Sequence, residues 1–315
     1  NPSTAAATAG AVTWGNGSAG IAAAVSAGNS LVGLATDDRV GYGGVAALAD
    51  GNYVVVSPFW DNGIIADAGA VTRGDGAGGS VGAVSVANSL IGTTTADQVG
   101  GGGVTALTNG HYVACSPLWD NGATANAGAV TWLDGSVATS GALSPANSLI
   151  GSQPFDTVGI GGASALGNGN YVVRSYNWAN GGAADAGAVT WLSGAEPFTG
   201  VVSASNSLVG SAAGDLAGYA MVAALSDGNY VVHSPFWDNG GTLDAGAVTP
   251  ADGSFGASGP ILAQNSVLGT VAAAGNSMVF GYDAARRRVA VGRPASNRVT
   301  LITVPTQLIF ADGFE

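Results

Sequence analysis

The sequence predicts an all-β chain built from one four-stranded antiparallel unit repeated along its length. Three observations predict it. Tyr53, Tyr112, Tyr171 and Tyr230 recur at a constant step of 59 along the chain. Gly10, Gly69, Gly128, Gly187 and Gly246 keep the same step, each opening Gly-Ala-Val-Thr, and so do Asn29, Asn88, Asn147, Asn206 and Asn265, each opening Asn-Ser-(Leu/Val). These signposts hold register without an insertion until residue 270, as stacked copies of one structural unit require. No stretch carries a sustained helical apolar period over a helix-sized window, whereas short apolar runs bounded by Gly, Asn, Asp and Pro recur throughout.

The unit at 37–92 shows each element in order. Strand a is Val40–Leu48, weakly alternating and rich in glycine. Asp50-Gly51 follows, matched by Asn109-Gly110, Asn168-Gly169 and Asp227-Gly228; such pairs favour a type I′ hairpin, whose central residues both need positive φ. Strand b is Tyr53-Val54-Val55-Val56, an unbroken apolar run that predicts cover on both faces. Pro58 ends it, because proline cannot donate to a ladder. A loop from Phe59 to Asp67 leads into strand c at Ala70-Val71-Thr72, and strand d is placed roughly at Val81–Leu90.

Repeated four-stranded sheets of about 40–60 residues, apolar on both faces, are the blades of a β-propeller, in which neighbours bury what one blade cannot. Counting strands gives five blades. The chain starts with c and d and ends with a, b and c, so N-terminal c and d beside C-terminal a and b would close the ring and leave one surplus strand. The prediction is a single domain over 1–304, with repeats near 10–68, 69–127, 128–186, 187–245 and 246–304, and a tail at 305–315.

Composition bounds the partners. Charged residues make up 9%, lysine is absent, and mean hydropathy is +0.33; a typical soluble domain is roughly 25% charged. So little charge opposes association weakly. Net charge is -12, which argues against nucleic acid and anionic membranes. Residues 276–315 hold five of the eight arginines against three acids, a net of +2, leaving -14 on the remainder. A basic end on an acidic body suits head-to-tail contact. Cys115 is the only cysteine, so no internal disulfide forms. No apolar run is long enough to span a membrane. The start at Asn-Pro-Ser-Thr, without Met, is consistent with a processed, secreted protein.

The order Val-Gly-x-Gly-Gly-Val, then Asp-Gly-Asn-Tyr-Val-Val-Val-Ser-Pro, then Ala-Gly-Ala-Val-Thr-Trp resembles FG-GAP repeats, the blades of integrin α-chain propellers and of many bacterial surface proteins. Val99-Gly100, Val291-Gly292-Arg293-Pro294 and Gly128-Ala129-Val130 stand at the family's signature positions, and the resemblance runs over 10–302. It also extends to Gly/Ala-rich bacterial propeller repeats without assigned activity, and Ile309–Glu315 resembles a C-terminal sequence seen on secreted bacterial proteins. The family often holds Ca²⁺ in an Asp-rich loop between strands a and b. Here that loop has at most one carboxylate, whereas Ca²⁺ takes six to eight oxygens, so no metal or other cofactor is expected. The b–c loop, with Asp61, Asp67, Asp120, Asp185, Asp238 and Asp244, is a weaker metal candidate that turn-capping explains more simply.

Trp60, Trp119, Trp178 and Trp237 share one b–c loop position, with Asp61, Asp120 and Asp238 beside three of them. They are the candidate binding residues, either as sugar-stacking platforms or as plugs between blades. Trp14, Trp132 and Trp191 close strand c at a variable position, read as outward-facing. His111 and His233 occupy non-equivalent positions, and no triad, phosphate loop or metal spacing is present; no catalytic residue is assigned. The candidate assembly residues are Arg298, Val299, Thr300 and Leu301 of the surplus strand, with Leu308, Ile309 and Phe310 of the tail. The expectation is a secreted, non-enzymatic protein that self-associates head to tail into an extracellular filament or matrix through a donated strand. A glycan- or protein-binding adhesin is the second expectation, and a polysaccharide-acting propeller enzyme the third.

Overall fold

The computed structural model describes residues 6–21 and 23–304. These residues form an all-β array of six sheets, antiparallel apart from one parallel pairing in each of four. Strand b is the spine of each full unit: Tyr53–Ser57, Tyr112–Ser116, Tyr171–Ser175 and Tyr230–Ser234. Strand a (Val45–Ala47 in the first full unit) lies on one side of it and strand c (Ala70–Gly74) on the other. Its covered faces fulfil the expectation from its unbroken apolar run, with Val54, Val113, Val172 and Val231 each 0% exposed. The a strands of successive units lie against one another. One apolar cluster forms per junction; the largest combines Val113, Cys115 and Val130 of one unit with Tyr171, Val173 and Trp178 of the next.

The a–b hairpin departs from the expected type I′ turn. Leu48 pairs with Asn52 around a three-residue loop, and of Asp50 and Gly51 only Gly51 takes a positive φ, at 88°. This is a type I turn closed by a left-handed glycine. The Asp50 side chain accepts the Asn52 N–H at 3.0 Å and holds the turn open at that length.

The segment read as one strand d is two short strands in different sheets. Leu90–Ile91 pairs antiparallel with strand c, Ala70 opposite Ile91. Gly82–Ala83 instead pairs parallel with Leu31–Val32, strand d of the preceding unit. The break between them is made by Asn88, whose side chain accepts the Ser85 N–H at 2.8 Å and donates to the Ala83 carbonyl at 2.9 Å. A full sheet is therefore a five-stranded mixed sheet, in the order a-b-c-d-cap, with the cap supplied by the next unit. The cap recurs as Gly141–Ala142 on Leu90–Ile91, Gly200–Val201 on Leu149–Ile150, and Gly259–Pro260 on Leu208–Val209.

The two ends differ from the predicted ring. The first sheet holds Ala11–Val12, Leu31–Val32 and the cap Gly82–Ala83; the last holds Val279–Asp283, Arg288–Arg293 and Arg298–Thr303. No strand of the first is hydrogen-bonded to a strand of the last among the described residues. Arg298–Thr303 is not surplus: it pairs over its full length with Arg288–Arg293, from Arg288 opposite Thr303 to Arg293 opposite Arg298. That long ladder holds strand b of the last unit, the place the predicted closure gave to the short strand Ala11–Val12.

Candidate functional site

The polar interior of the array is a repeated staple. Asp156 is 1% exposed. Its Oδ2 accepts the backbone N–H groups of Ser152 and Gln153 at 2.9 and 2.8 Å, and its Oδ1 accepts that of Ala179, further along the chain, at 3.0 Å. The carboxylate thus ties the turn after strand d to the next b–c loop. Asp38, Asp97 and Asp215 make the same three bonds in their units. Burial pushes the Asp97 carboxyl above its ordinary range, against the three N–H groups that pull it down. The sequence pattern does not single this set out. A signal exists, since the four Asp residues keep the step of the repeat, but they sit among other Asp and Asn residues that merely shape turns.

Two further devices repeat. Ser57, Ser116, Ser175 and Ser234 accept the N–H of Gly41, Gly100, Gly159 and Gly218 at 2.9–3.1 Å. The strand-c threonines Thr72, Thr131, Thr190 and Thr249 share hydroxyl bonds with Ser89, Ser148, Ser207 and Ser266 at 2.6–2.8 Å. Both reach from one strand or loop to another, so these hydroxyls tie the array together.

The predicted binding residues fall in this interior. Trp60, Trp119, Trp178 and Trp237 are 7%, 3%, 5% and 5% exposed. Their rings pack in the apolar clusters at the junctions, a burial that removes them as stacking platforms and makes them plugs. Asp61, Asp120 and Asp238 each accept a backbone N–H from later in the same loop, from Asp67, Asn126 and Asp244 at 2.9, 2.7 and 2.8 Å. Those three donor residues and Asp185 have φ of 48–51°, the left-handed region that Asp and Asn tolerate. The b–c loop carboxylates are therefore turn-formers. Trp132 and Trp191, expected to face outward, are half-buried; their indole N–H groups donate to the carbonyls of Gly194 and Gly253 in the next unit at 2.9 Å.

Each histidine has a partner within the array. His111 lies 3.2 Å from Asp134 and packs on Trp132. His233 is buried, with its Nε2 3.1 Å from the Gly275 carbonyl, and desolvation holds its pKa below the ordinary value. Cys115 is buried on strand b, and burial pushes its thiol up to about 12. Among the described residues no three His, Cys, Asp or Glu side chains converge as a metal site. No described helix is long and apolar enough to cross a membrane.

The open chemistry lies at the ends. At the head, Ala11 is exposed, whereas its counterparts Ala70, Ala129, Ala188 and Ala247 are 0% exposed under their b strands. A cleft of about 540 Å³ there is lined by Gly10, Ala11, Val25, Val32 and Leu34. At the tail, Val267–Leu268 is the one full-unit d strand without a cap among the described residues. The outer edge of Arg298–Thr303 also has no strand partner there, and Val299 and Leu301 are 73% and 61% exposed. Arg293 spans the corner, donating to the Leu268 carbonyl at 2.8 Å and to Thr300 Oγ1 at 2.7 Å. A cleft of about 510 Å³ opens beside it, lined by Asn239, Val267, Leu268, Thr270, Arg293 and Leu301. Of the predicted assembly residues, Arg298, Val299, Thr300 and Leu301 are thus on a sheet edge without a further strand among the described residues, while Leu308, Ile309 and Phe310 lie outside them.

A chain of near-identical units joined through buried staples defines a tandem-repeat protein. It belongs to the family described as a repeat of unknown function (DUF5650), which matches residues 2–42, 47–101, 106–160, 165–219 and 224–277. The last four matched segments begin at the same step as the tyrosines and glycines. No curated protein matches the chain.

Proposed function

We propose that this protein is a secreted, non-enzymatic structural component that associates head to tail into an extracellular filament or surface matrix. The observation that carries the reading is the pair of incomplete ends. Among the described residues, the first sheet lacks strands a and b, and the last lacks strand d and a cap. A bare β edge is a template for another chain, and joining unlike ends gives an open filament unless the rotation closes a ring. The repeated sheets, with their a strands side by side, support blades of the β-propeller kind and a distant likeness to FG-GAP repeats. The low charge, the absence of lysine and the basic tail on an acidic body favour association, and the resemblance of the last residues to secreted bacterial C-termini supports an extracellular address.

The test is negative-stain electron microscopy of native material with light scattering on the same sample. Regular fibres or sheets that lengthen with concentration are expected. A monodisperse monomer at every concentration tested would refute the reading.

A further inference from the structure

One device joins the units four times inside the chain. Strand d of each unit receives, on its outer edge, a parallel two-residue cap from the unit that follows: Leu31–Val32 with Gly82–Ala83 through Leu208–Val209 with Gly259–Pro260. Two halves of this device are left over. At the tail, Val267–Leu268 presents the same edge bare among the described residues. At the head, Ala23–Ala24 stand one repeat before Gly82–Ala83, with no earlier described strand d to receive them, and both are exposed.

The head segment already has the shape of a cap. Asn29 donates to the Ala24 carbonyl at 2.9 Å and accepts the Ser26 N–H at 2.8 Å. Asn88 makes the same pair of bonds in the second unit, at 2.9 and 2.8 Å, where the cap is docked.

The c–d pairing leaves matching halves too. Arg298–Thr303 is a strand c without a strand d among the described residues, the repeat-equivalent of Ala70 being Arg298, since both lie opposite the last residue of strand b. Leu31–Val32 is a strand d whose c partner is only two residues long.

We infer that the head of a second copy docks on the tail in the register the repeats dictate: Ala23 opposite Val267 and Ala24 opposite Leu268, parallel, with Leu31 opposite Val299 and Val32 opposite Arg298, antiparallel. Ala11–Val12 of the incoming copy gives way to the longer strand already zipped to the last sheet. The contact rests on the assembly reading above and names its site. It continues the register of the interface between units and fills the cleft at Val267 and Leu268. The two segments it joins also carry opposite net charge. Residues 276–304 carry five arginines against Asp283, and residues 6–75 carry six aspartates against Arg39 and Arg73.

The experiment is disulfide trapping in the full chain. Cys115→Val gives a background without thiols, valine being the residue at the equivalent Val56. Ala24→Cys and Leu268→Cys are added together and singly, and Ala24→Cys with Leu262→Cys serves as an off-register control. After mild oxidation, a ladder of linked oligomers from the in-register pair alone is expected, with the 24–268 peptide identified by mass spectrometry. A linked monomer would overturn the inference in favour of closure within one chain. Unlinked monomers with both thiols reactive only after residues 305–315 are removed would overturn it in favour of that segment as the cap. Light scattering before oxidation separates the two levels: filaments without the link sink this contact alone, whereas monomers without the link sink the assembly reading as well.

Discussion

Replacing Asp156 with alanine removes the acceptor of three part-buried backbone N–H groups and is expected to cost a few kcal/mol. The side chain is 1% exposed and accepts three backbone N–H groups at 2.9, 2.8 and 3.0 Å. A fully buried donor left without an acceptor costs about 1–3 kcal/mol; water reaches these part-buried ones, so about 3–9 kcal/mol is an upper range. Relief from burying the carboxylate offsets part of that and places the expected loss in the lower half of the range. Asp156→Asn keeps one acceptor oxygen and is expected to lose about half as much. The assay is urea unfolding followed by tryptophan fluorescence. Trp178 reports the site directly, because its neighbour Ala179 supplies one of the three N–H groups. Units of a repeat array contact only their neighbours, so cutting a central staple should also split the transition into two steps. A single transition shifted by less than about 1 kcal/mol would refute the idea that the staple holds the junction.

Four further outcomes follow from the same geometry. Trp178→Ala should cost about 3–5 kcal/mol in the same assay, the loss of a buried ring, and should leave any glycan binding unchanged. Gly194→Ala should destabilise by at least ~1–3 kcal/mol because its Cβ would stand 1.8 Å from the Gly169 carbonyl oxygen, whereas Gly182→Ala, with nothing within 4 Å, should be neutral within about 0.5 kcal/mol. Burial lowers the folded-state pKa of His233, so its contribution is full above the unfolded value near ~6.5 and is lost as pH falls below it; thermal melts from pH 8 to pH 5 should fall less steeply in His233→Val. Cys115, its thiol pushed up to about 12, should resist a thiol reagent in the folded protein and react on unfolding.

The parts of this fold that are legible in the sequence depend on residues close along the chain. Tyr53–Val56 reads as a doubly covered strand because its apolar run and its terminator Pro58 are adjacent, and the structure ends the strand at Ser57. Strand d is not legible as it stands, because Gly82–Ala83 takes its partner from Leu31–Val32 of the preceding unit, where no local pattern points. Asn88 carries the only local warning, since a side chain able to bond backbone on both sides breaks a strand. The orientation of Trp60, Trp119, Trp178 and Trp237 is open in the sequence because an aromatic after a strand-ending Pro serves equally well as a surface platform or a plug. Their burial decides it. The Asp38 set is hidden for a different reason: a stapling Asp and a turn-forming Asp look alike until their hydrogen bonds are seen to cross between loops.

The last unit breaks the rules that the others keep, and breaks them together. Ala274 stands where Asp38, Asp97, Asp156 and Asp215 staple; Arg293 stands where Ser57, Ser116, Ser175 and Ser234 accept an N–H; Ser296 stands where the four tryptophans plug. Losing the staple leaves the Val267–Leu268 corner without the tie that secures the other junctions. Arg293 supplies a substitute, its guanidinium bridging the Leu268 carbonyl and Thr300. That bridge fixes Val267–Leu268 and Arg298–Thr303, two edges without a strand partner among the described residues, relative to each other. The head, by contrast, retains Asp38 with its three bonds and Asn29 with its preformed cap turn. A head built by the repeat's rules and a tail built to its own are unlike surfaces. Contact between unlike surfaces is heterologous, and only a heterologous contact lets the internal geometry of a repeat array continue from one chain into the next.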